Sequence, residues 1–190
     1  VHLRMTGQFK LINEQTIPCP HTRVRFFEDE GKELRFIDIR NFGQMWYVPP
    51  NKSVSEIVSG IKRLGPEPFS DSFNSRYLEE YLKNKKRTIK SALLDQEIVA
   101  GVGNIYADEA LFDAGIHPKT VSRNLKKEAL NKLCNSLVKI LKISIGVGGT
   151  TFSDFRDLEG INGNYGGQAW VYRRSGKPCR KCREKILREK

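Results

Sequence analysis

Residues 101–112 read Gly-Val-Gly-Asn-Ile-Tyr-Ala-Asp-Glu-Ala-Leu-Phe, a two-glycine turn that runs straight into a helical stretch. Asn104 stands in the N-cap position, where a short polar side chain can accept from the first free N–H groups. The glycines let the backbone approach a ligand closely, and the unpaired N–H groups of the first turn then form an anion site. From these residues alone an ordinary turn and cap is the favoured reading, and the basic cluster one helix upstream shifts the balance toward phosphate. Around this stretch the pattern has the period of helices, at 75–82, 89–94, 104–114 and 125–145. In the last of these Leu130, Leu133, Leu137, Ile140 and Leu141 recur at steps of three and four, which predicts one buried face.

Upstream, residues 1–50 have strand character. Positions 2–12 mix apolar and polar residues at a rough period of two, and 22–27 and 34–39 alternate more cleanly. The polar Glu28-Asp-Glu-Gly-Lys32 between the last two predicts a β-hairpin. Met45-Trp-Tyr-Val48 is a further extended run that stops at Pro49-Pro50. Ser53 and Glu56 then form a capping-box pattern, with Val54, Ile57, Val58, Ile61 and Leu64 on one side of the helix it predicts. Gly65-Pro66-Glu67-Pro68 breaks the chain and marks a domain boundary.

Downstream, residues 146–168 contain seven glycines, a loop long enough to be a functional lid. Residues 169–174 read as a strand, Ser175-Gly176-Lys177 as a turn, and Cys179-Arg-Lys-Cys182 as a knuckle. No internal repeat is present.

The 190 residues carry 33 Lys and Arg against 22 Asp and Glu, a net charge of +11. No apolar run approaches the ~20 residues of a membrane span, and the first residues lack a signal peptide's apolar stretch. The expectation is a soluble, cytosolic protein with an anionic partner. The charge is clustered: residues 171–190 carry nine Lys or Arg and two Glu, and 83–90 place five bases in eight positions. Clusters of this kind are the footprint of a phosphate-backbone binder, although solvated surfaces produce them too.

Two further groups carry chemistry. The Cys179-x-x-Cys182 pair fits half of a zinc ribbon or hairpin finger better than a redox motif, because the strand-then-helix context of the latter is missing. Two thiolates close only half a tetrahedral site, so the chain alone is expected to hold zinc weakly. Cys19 and Cys134 read as core thiols. Finally, Arg40 and Phe42 stand two residues apart at a strand end and project to one side, and Met5, at the tip of another strand, is the other exposed-looking apolar side chain, although taken singly Phe42 and Met5 are more often core residues. An aromatic, a thioether and a guanidinium at a basic surface could wedge into a base stack and fill the space of an extruded nucleotide.

Read in order, His2-Leu-Arg-Met-Thr-Gly7, Asp38-x-Arg-x-Phe-Gly43, Leu64-Gly-Pro-Glu-Pro68, Ile89-Lys90 to Leu94-Asp95, Gly101-Val-Gly-Asn-Ile-Tyr-Ala107, Ala114-Gly-Ile-His-Pro118 and Gly148-Gly-Thr-Thr151 resemble bacterial formamidopyrimidine-DNA glycosylase. The match runs from Val1 to Lys190. The resemblance implies an α+β fold: part of an N-terminal β-sandwich (1–64), a helix–two-turn–helix DNA-binding domain (65–148), a lesion-capping loop (149–168) and the first half of a zinc-finger hairpin (169–190). It implies excision of oxidised purines from double-stranded DNA followed by cleavage at the abasic site, in a monomeric, nucleoid-associated bacterial protein of the cytoplasm with no membrane contact. Met5, Arg40 and Phe42 match the family's intercalating trio, Asn104 its phosphate clamp, His2 and His21 further DNA contacts and Lys90 a basic residue near the damaged base, with Lys85 a further DNA-binding candidate. Thr150, Thr151 and Tyr165 match the loop over the damaged base, and Cys179 and Cys182 the first two zinc ligands.

The family's nucleophile is an N-terminal proline amine that forms a Schiff base at the sugar, with a following glutamate moving protons. No residue of this chain matches either, nor the downstream lysine, the finger-tip arginine or the second Cys pair. The chain is therefore expected to be part of a longer enzyme and inactive by itself. Two alternatives stand beside this reading: an endonuclease VIII-type glycosylase for oxidised pyrimidines, against which the long Gly-rich segment argues, and a non-catalytic DNA-binding module.

Overall fold

A computed structural model describes residues 1–13, 15–29, 31–151, 158 and 162–189. The chain divides into two compact units, Val1–Ile57 with Ser144–Gln168, and Val58–Ile143 with Ala169–Lys190.

The first unit is built on a three-stranded antiparallel sheet. Its strands β1 (Gly7–Asn13), β2 (Thr22–Phe27) and β3 (Lys32–Asp38) lie in the order β1-β3-β2. The β2–β3 hairpin is the one that the Glu28–Lys32 turn predicts, closed by Glu28 N–H donating to the Lys32 carbonyl at 3.0 Å. β1 starts only at Gly7, because residues 4–6 form a turn with Arg4 at φ 55°. Period-two alternation gives the central strand two different faces. One carries Phe36, buried and tilted against Phe9 at 5.5 Å between ring centroids. The other carries the buried pair Glu33 and Arg35, 2.5 Å apart, which Arg25 of β2 joins at 2.6 Å.

Hydrogen bonds from Arg25 and then from Arg35 hold the Glu33 carboxyl down at about 2, from an ordinary value near 4.5. A carboxyl depressed by folding contributes stability that is complete above its unfolded pKa and is lost as the pH falls through the folded one. Acid titration followed by near-UV circular dichroism is expected to show this unit loosening between about pH 4.5 and 2, and Glu33→Gln should abolish that dependence.

Met45 to Val48 joins no sheet among the described residues, apart from the neighbouring Gln44 bridge to His2. The capping box is real, with Ser53 N–H donating to Glu56 Oε2 at 2.7 Å. It starts only one turn of helix, α1 (Val54–Ile57), followed by a 3₁₀ segment at Ser59–Arg63. The apolar side that the sequence predicts here stays in solvent, with Val54, Ile57, Ile61 and Leu64 all exposed.

The second unit is helical: α2 (Ser75–Leu82), α3 (Ile89–Leu93), α4 (Asn104–Ala114) and α5 (Lys127–Gly146), the last three residues of which belong to the first unit. Asn74 and Thr88 cap α2 and α3 by accepting from Tyr77 and Ser91 N–H groups, and α4 stops at Gly115 in the left-handed conformation. Leu130, Leu133 and Leu137 of α5 are buried as expected and Leu141 partly so, and with Leu78, Leu82, Ile89, Leu93, Ile98, Val99, Val102 and Leu111 these three leucines form one apolar core. Each such side chain contributes roughly 1.5–3 kcal/mol on burial.

Residues 169–174 are not a strand. Their N–H groups go elsewhere: Trp170, Val171 and Tyr172 all donate at 2.8 Å to the carboxylate of Glu109, which is wholly buried on α4. Of the two cysteines expected in the core, Cys134 is buried, and burial pushes its thiol up to about 11. Cys19 is exposed instead, in the turn before β2 and 3.4 Å from the Thr22 hydroxyl.

Candidate nucleic-acid interface

In the first unit a single buried carboxylate builds a loop. Asp38 closes β3 and accepts from the Thr6 hydroxyl at 2.5 Å, from Arg40 N–H at 3.2 Å and from Gly43 N–H at 2.8 Å. Burial opposes its ionisation, but these donors outweigh burial and hold the carboxyl below its ordinary range. The loop turns back through Asn41 at φ 58° and returns over Phe36 at Gly43, where a Cβ would lie 2.5 Å from the Phe36 ring. Only glycine fits at that position.

The loop displays Arg40 and Phe42 to solvent, with the Arg40 guanidinium 4.9 Å from the Phe42 ring centroid. Met5, 69% exposed, places its sulfur 3.4 Å from Arg40 Nη1. The structure therefore brings together the three residues that the sequence singled out as a wedge. His2 lies beside them, its backbone paired in both directions with Gln44 at 2.8 and 2.9 Å. The His21 carbonyl accepts from Asp38 N–H at 3.0 Å, which sets that exposed histidine at the same end of the sheet. The Gly-rich segment is pinned at its base, where Tyr165 N–H donates to Gly149 and Gly163 N–H to the Thr151 hydroxyl. Thr150 pairs with Asn164 there, and the Tyr165 side chain is buried. Part of the expected lid, 152–157 and 159–161, lies outside the described residues.

In the second unit α3 is followed by two turns and then α4. Asp95 organises the first turn, accepting at its carbonyl from Ile98 and Val99 and at its carboxylate from Glu97 N–H and Arg87. The Arg87 bond, with the Glu97 N–H second, holds its carboxyl low. Gln96 clamps the second turn, accepting from Gly101 N–H at 2.8 Å and donating to the Val102 carbonyl at 3.0 Å. Gly101 sits at φ 77°, a conformation glycine adopts without strain.

The N-cap of α4 is Gly103, one residue before the position the sequence suggested; Asn104 is the first helical residue. The N-cap makes no side-chain hydrogen bond and no acid stands in the first turn, so no carboxylate offsets the positive end of the helix there. Lys90 reaches the same groove of about 1470 Å³ that Asn104 and His117 line, and there pairs with Asp108 at 2.7 Å. Lys85 stands on the exposed 83–88 loop, 5.3 Å above the Tyr81 ring.

Cys179 and Cys182 sit at the tip of a tight backbone pairing of 176–179 with 184–186. N–H groups of Cys182 and Lys181 directed at the Cys179 sulfur lower its thiol pKa, which favours the thiolate. Among the described residues no three His, Cys, Asp or Glu side chains gather as a metal site, and no helix is long and apolar enough to cross a membrane.

Known proteins share this arrangement. Residues 1–45 match the formamidopyrimidine-DNA glycosylase N-terminal domain, and residues 64–156 match the formamidopyrimidine-DNA glycosylase H2TH domain. Over all 190 residues the chain is 80% identical to formamidopyrimidine-DNA glycosylase of Prochlorococcus marinus (strain NATL2A), of which it spans 67%. The chain belongs to the formamidopyrimidine-DNA glycosylase family. The homologue of Parasynechococcus marenigrum (strain WH8102) is 62% identical, with 68% of its length covered.

Solved structures of the family superpose closely. A complex of Lactococcus lactis Fpg with DNA containing an abasic site gives a TM-score of 0.89 at 30% identity, over the whole of this chain and 68% of that one. The MutM (Fpg) protein of Thermus thermophilus gives 0.87 at 38% identity, over 98% of this chain and 68% of that one. Sequence reading missed Asp38, Gln96 and Glu109, the polar side chains that hold the displayed groups in place. Asp38 carries no signal beyond its place in a motif, and nothing local marks Gln96 or Glu109 as buried acceptors.

Proposed function

We propose that this chain recognises damaged bases in double-stranded DNA as part of a glycosylase and abasic-site lyase that removes oxidised purines in base-excision repair. The observation that carries the reading is the exposed Met5, Arg40 and Phe42 cluster on the rigid Asp38 loop. An apolar pair with a guanidinium between them can replace an extruded nucleotide and donate to the base left opposite. His2 and His21 stand beside that cluster as contacts to the same strand. Asn104 and the open α4 terminus take a backbone phosphate, with Lys85 and Lys90 adding cationic attraction. Thr150, Thr151 and Tyr165 hold the base of the loop that covers the lesion.

Cys179 and Cys182 supply two thiolates of a structural zinc site, which would fix the hairpin of the basic tail; further ligands come from residues other than those described. Titration of a fluorescent duplex carrying an abasic-site analogue against its undamaged counterpart tests the reading. Preference for the damaged duplex is expected, and Phe42→Ala should reduce it about tenfold or more. Equal affinity for both duplexes would overturn it. Asn104→Ala, in contrast, should weaken damaged and undamaged duplexes alike, by about three- to tenfold, since a phosphate contact carries no base information.

A further inference from the structure

Two basic segments far apart in sequence are fastened to each other in the second unit. The hydroxyl of Ser122, buried to 1% exposure, donates to the carbonyls of Lys85 and Arg87 at 3.2 and 2.9 Å. Ser122 N–H adds a bond to the Arg87 carbonyl at 3.0 Å, and Thr88 bridges to Val121. The loop after α2 and the turn before α5 are thereby locked side by side. Across residues 83–86 and 123–128 this gathers six cations, Lys83, Lys85, Lys86, Arg123, Lys126 and Lys127, against one carboxylate, Glu128.

Apart from Lys85 on Tyr81, these cations are exposed and have no ion pair or side-chain hydrogen bond among the described residues. Some other cations of the unit are paired, Arg87 with Asp95, Lys90 with Asp108, Lys119 with Glu189 and Lys139 with Asp113. Lys126 and Lys127 also stand at the start of the 20-residue helix α5, where the helix dipole disfavours positive side chains. A ridge that gathers six cations against one carboxylate, two of them at a helix end that repels positive charge, is arranged to attract an anion rather than to stabilise the fold.

We propose that this ridge binds the phosphate backbone of duplex DNA outside the damaged site, independently of the lesion. It rests on the reading of the chain as a duplex binder but uses none of the residues that contact the lesion. Lysine and arginine on a fixed ridge release condensed counterions wherever they meet a backbone, without reading bases. Such a contact lengthens the time spent on undamaged DNA between encounters with lesions.

The test compares the protein with a Lys83→Ala/Lys86→Ala/Arg123→Ala/Lys127→Ala variant on an undamaged duplex of about 30 base pairs, at about 50 to 200 mM salt. The slope of log affinity against log salt is expected to become shallower by about 3, with at least about a tenfold loss at the lowest salt. The same positions changed to Arg or Lys, keeping the charge, should restore the slope. Preference for an abasic-site analogue over undamaged DNA should stay unchanged, as should thermal stability. An unchanged slope in a variant whose parent binds duplex overturns the ridge and leaves the proposed function standing. Loss of the damage preference together with the slope would also overturn it, by assigning the ridge to the lesion site. A parent that binds no duplex at all overturns the proposed function and the ridge with it.

Discussion

Glu109→Ala should destabilise the helical unit by roughly 3 kcal/mol or more, since each buried donor left without an acceptor costs about 1–3 kcal/mol. Three donors lose their partner at once, the N–H groups of Trp170, Val171 and Tyr172. Water entering the site recovers part of the loss. The effect should be local first. Trp170 stacks on Phe112 of the same helix at 6.0 Å between centroids, so its fluorescence reports whether the segment has left α4.

Urea denaturation followed by that signal should show an early transition in the variant, with amide exchange at 170–172 accelerated before exchange in the core. Glu109→Gln should fall between the two, because one side-chain oxygen can still accept from Val171 and Tyr172 while the amide group meets the Trp170 N–H. An Ala variant that unfolds at the same urea concentration as the parent would show that the carboxylate does not hold this segment.

The second large effect belongs to Asp38. Its carboxylate is the common acceptor for Thr6, Arg40 and Gly43, so Asp38→Ala removes the scaffold of the displaying loop without touching a displayed side chain. Preference for a duplex with an abasic-site analogue should collapse by about tenfold or more, the equivalent of roughly 1.4 kcal/mol. Affinity for undamaged duplex, and its salt dependence, should remain within about twofold of the parent, because backbone contacts do not depend on this loop. Asp38→Asn should retain part of the preference, since an amide oxygen still accepts from the Gly43 N–H. Retention of full damage preference by Asp38→Ala would separate Met5, Arg40 and Phe42 from recognition.

What could be read from the sequence followed the range of the interaction that decides each element. The α5 stripe, the β2–β3 hairpin and the Ser53–Glu56 box are set by residues within one or two turns of each other, and all three are present. The cap of α4 is displaced by one position, because Gly103 and Asn104 can both precede a helix and only backbone angles decide between them. Residues 169–174 alternate like a strand, yet their N–H groups find an acceptor more than 60 positions earlier. No local pattern encodes that partner. The stripe from Val54 to Leu64 has helical spacing, but one turn of α-helix followed by a 3₁₀ segment leaves it exposed.

The site shows the same division. Spacing placed Arg40 and Phe42 on one side of a strand end, but the 35 positions between Met5 and Arg40 are bridged only by folding. The family resemblance supplied that link. Clustered charge was legible as an attraction to anions, whereas the pairing that distinguishes Lys90 from Lys83 and Lys86 was not, because it depends on where Asp108 falls on the next helix.

The pinned base of the Gly-rich segment bears on how such a protein can diversify. Gly149 with Tyr165 and Thr151 with Gly163 fix both ends of the excursion, and between them the Leu158 carbonyl accepts from Leu11 N–H of β1. Doubling the length of a closed loop costs only about 0.6 kcal/mol. Changes of length between these anchors should therefore cost folding little through loop closure, provided that the Leu158 contact to β1 is kept.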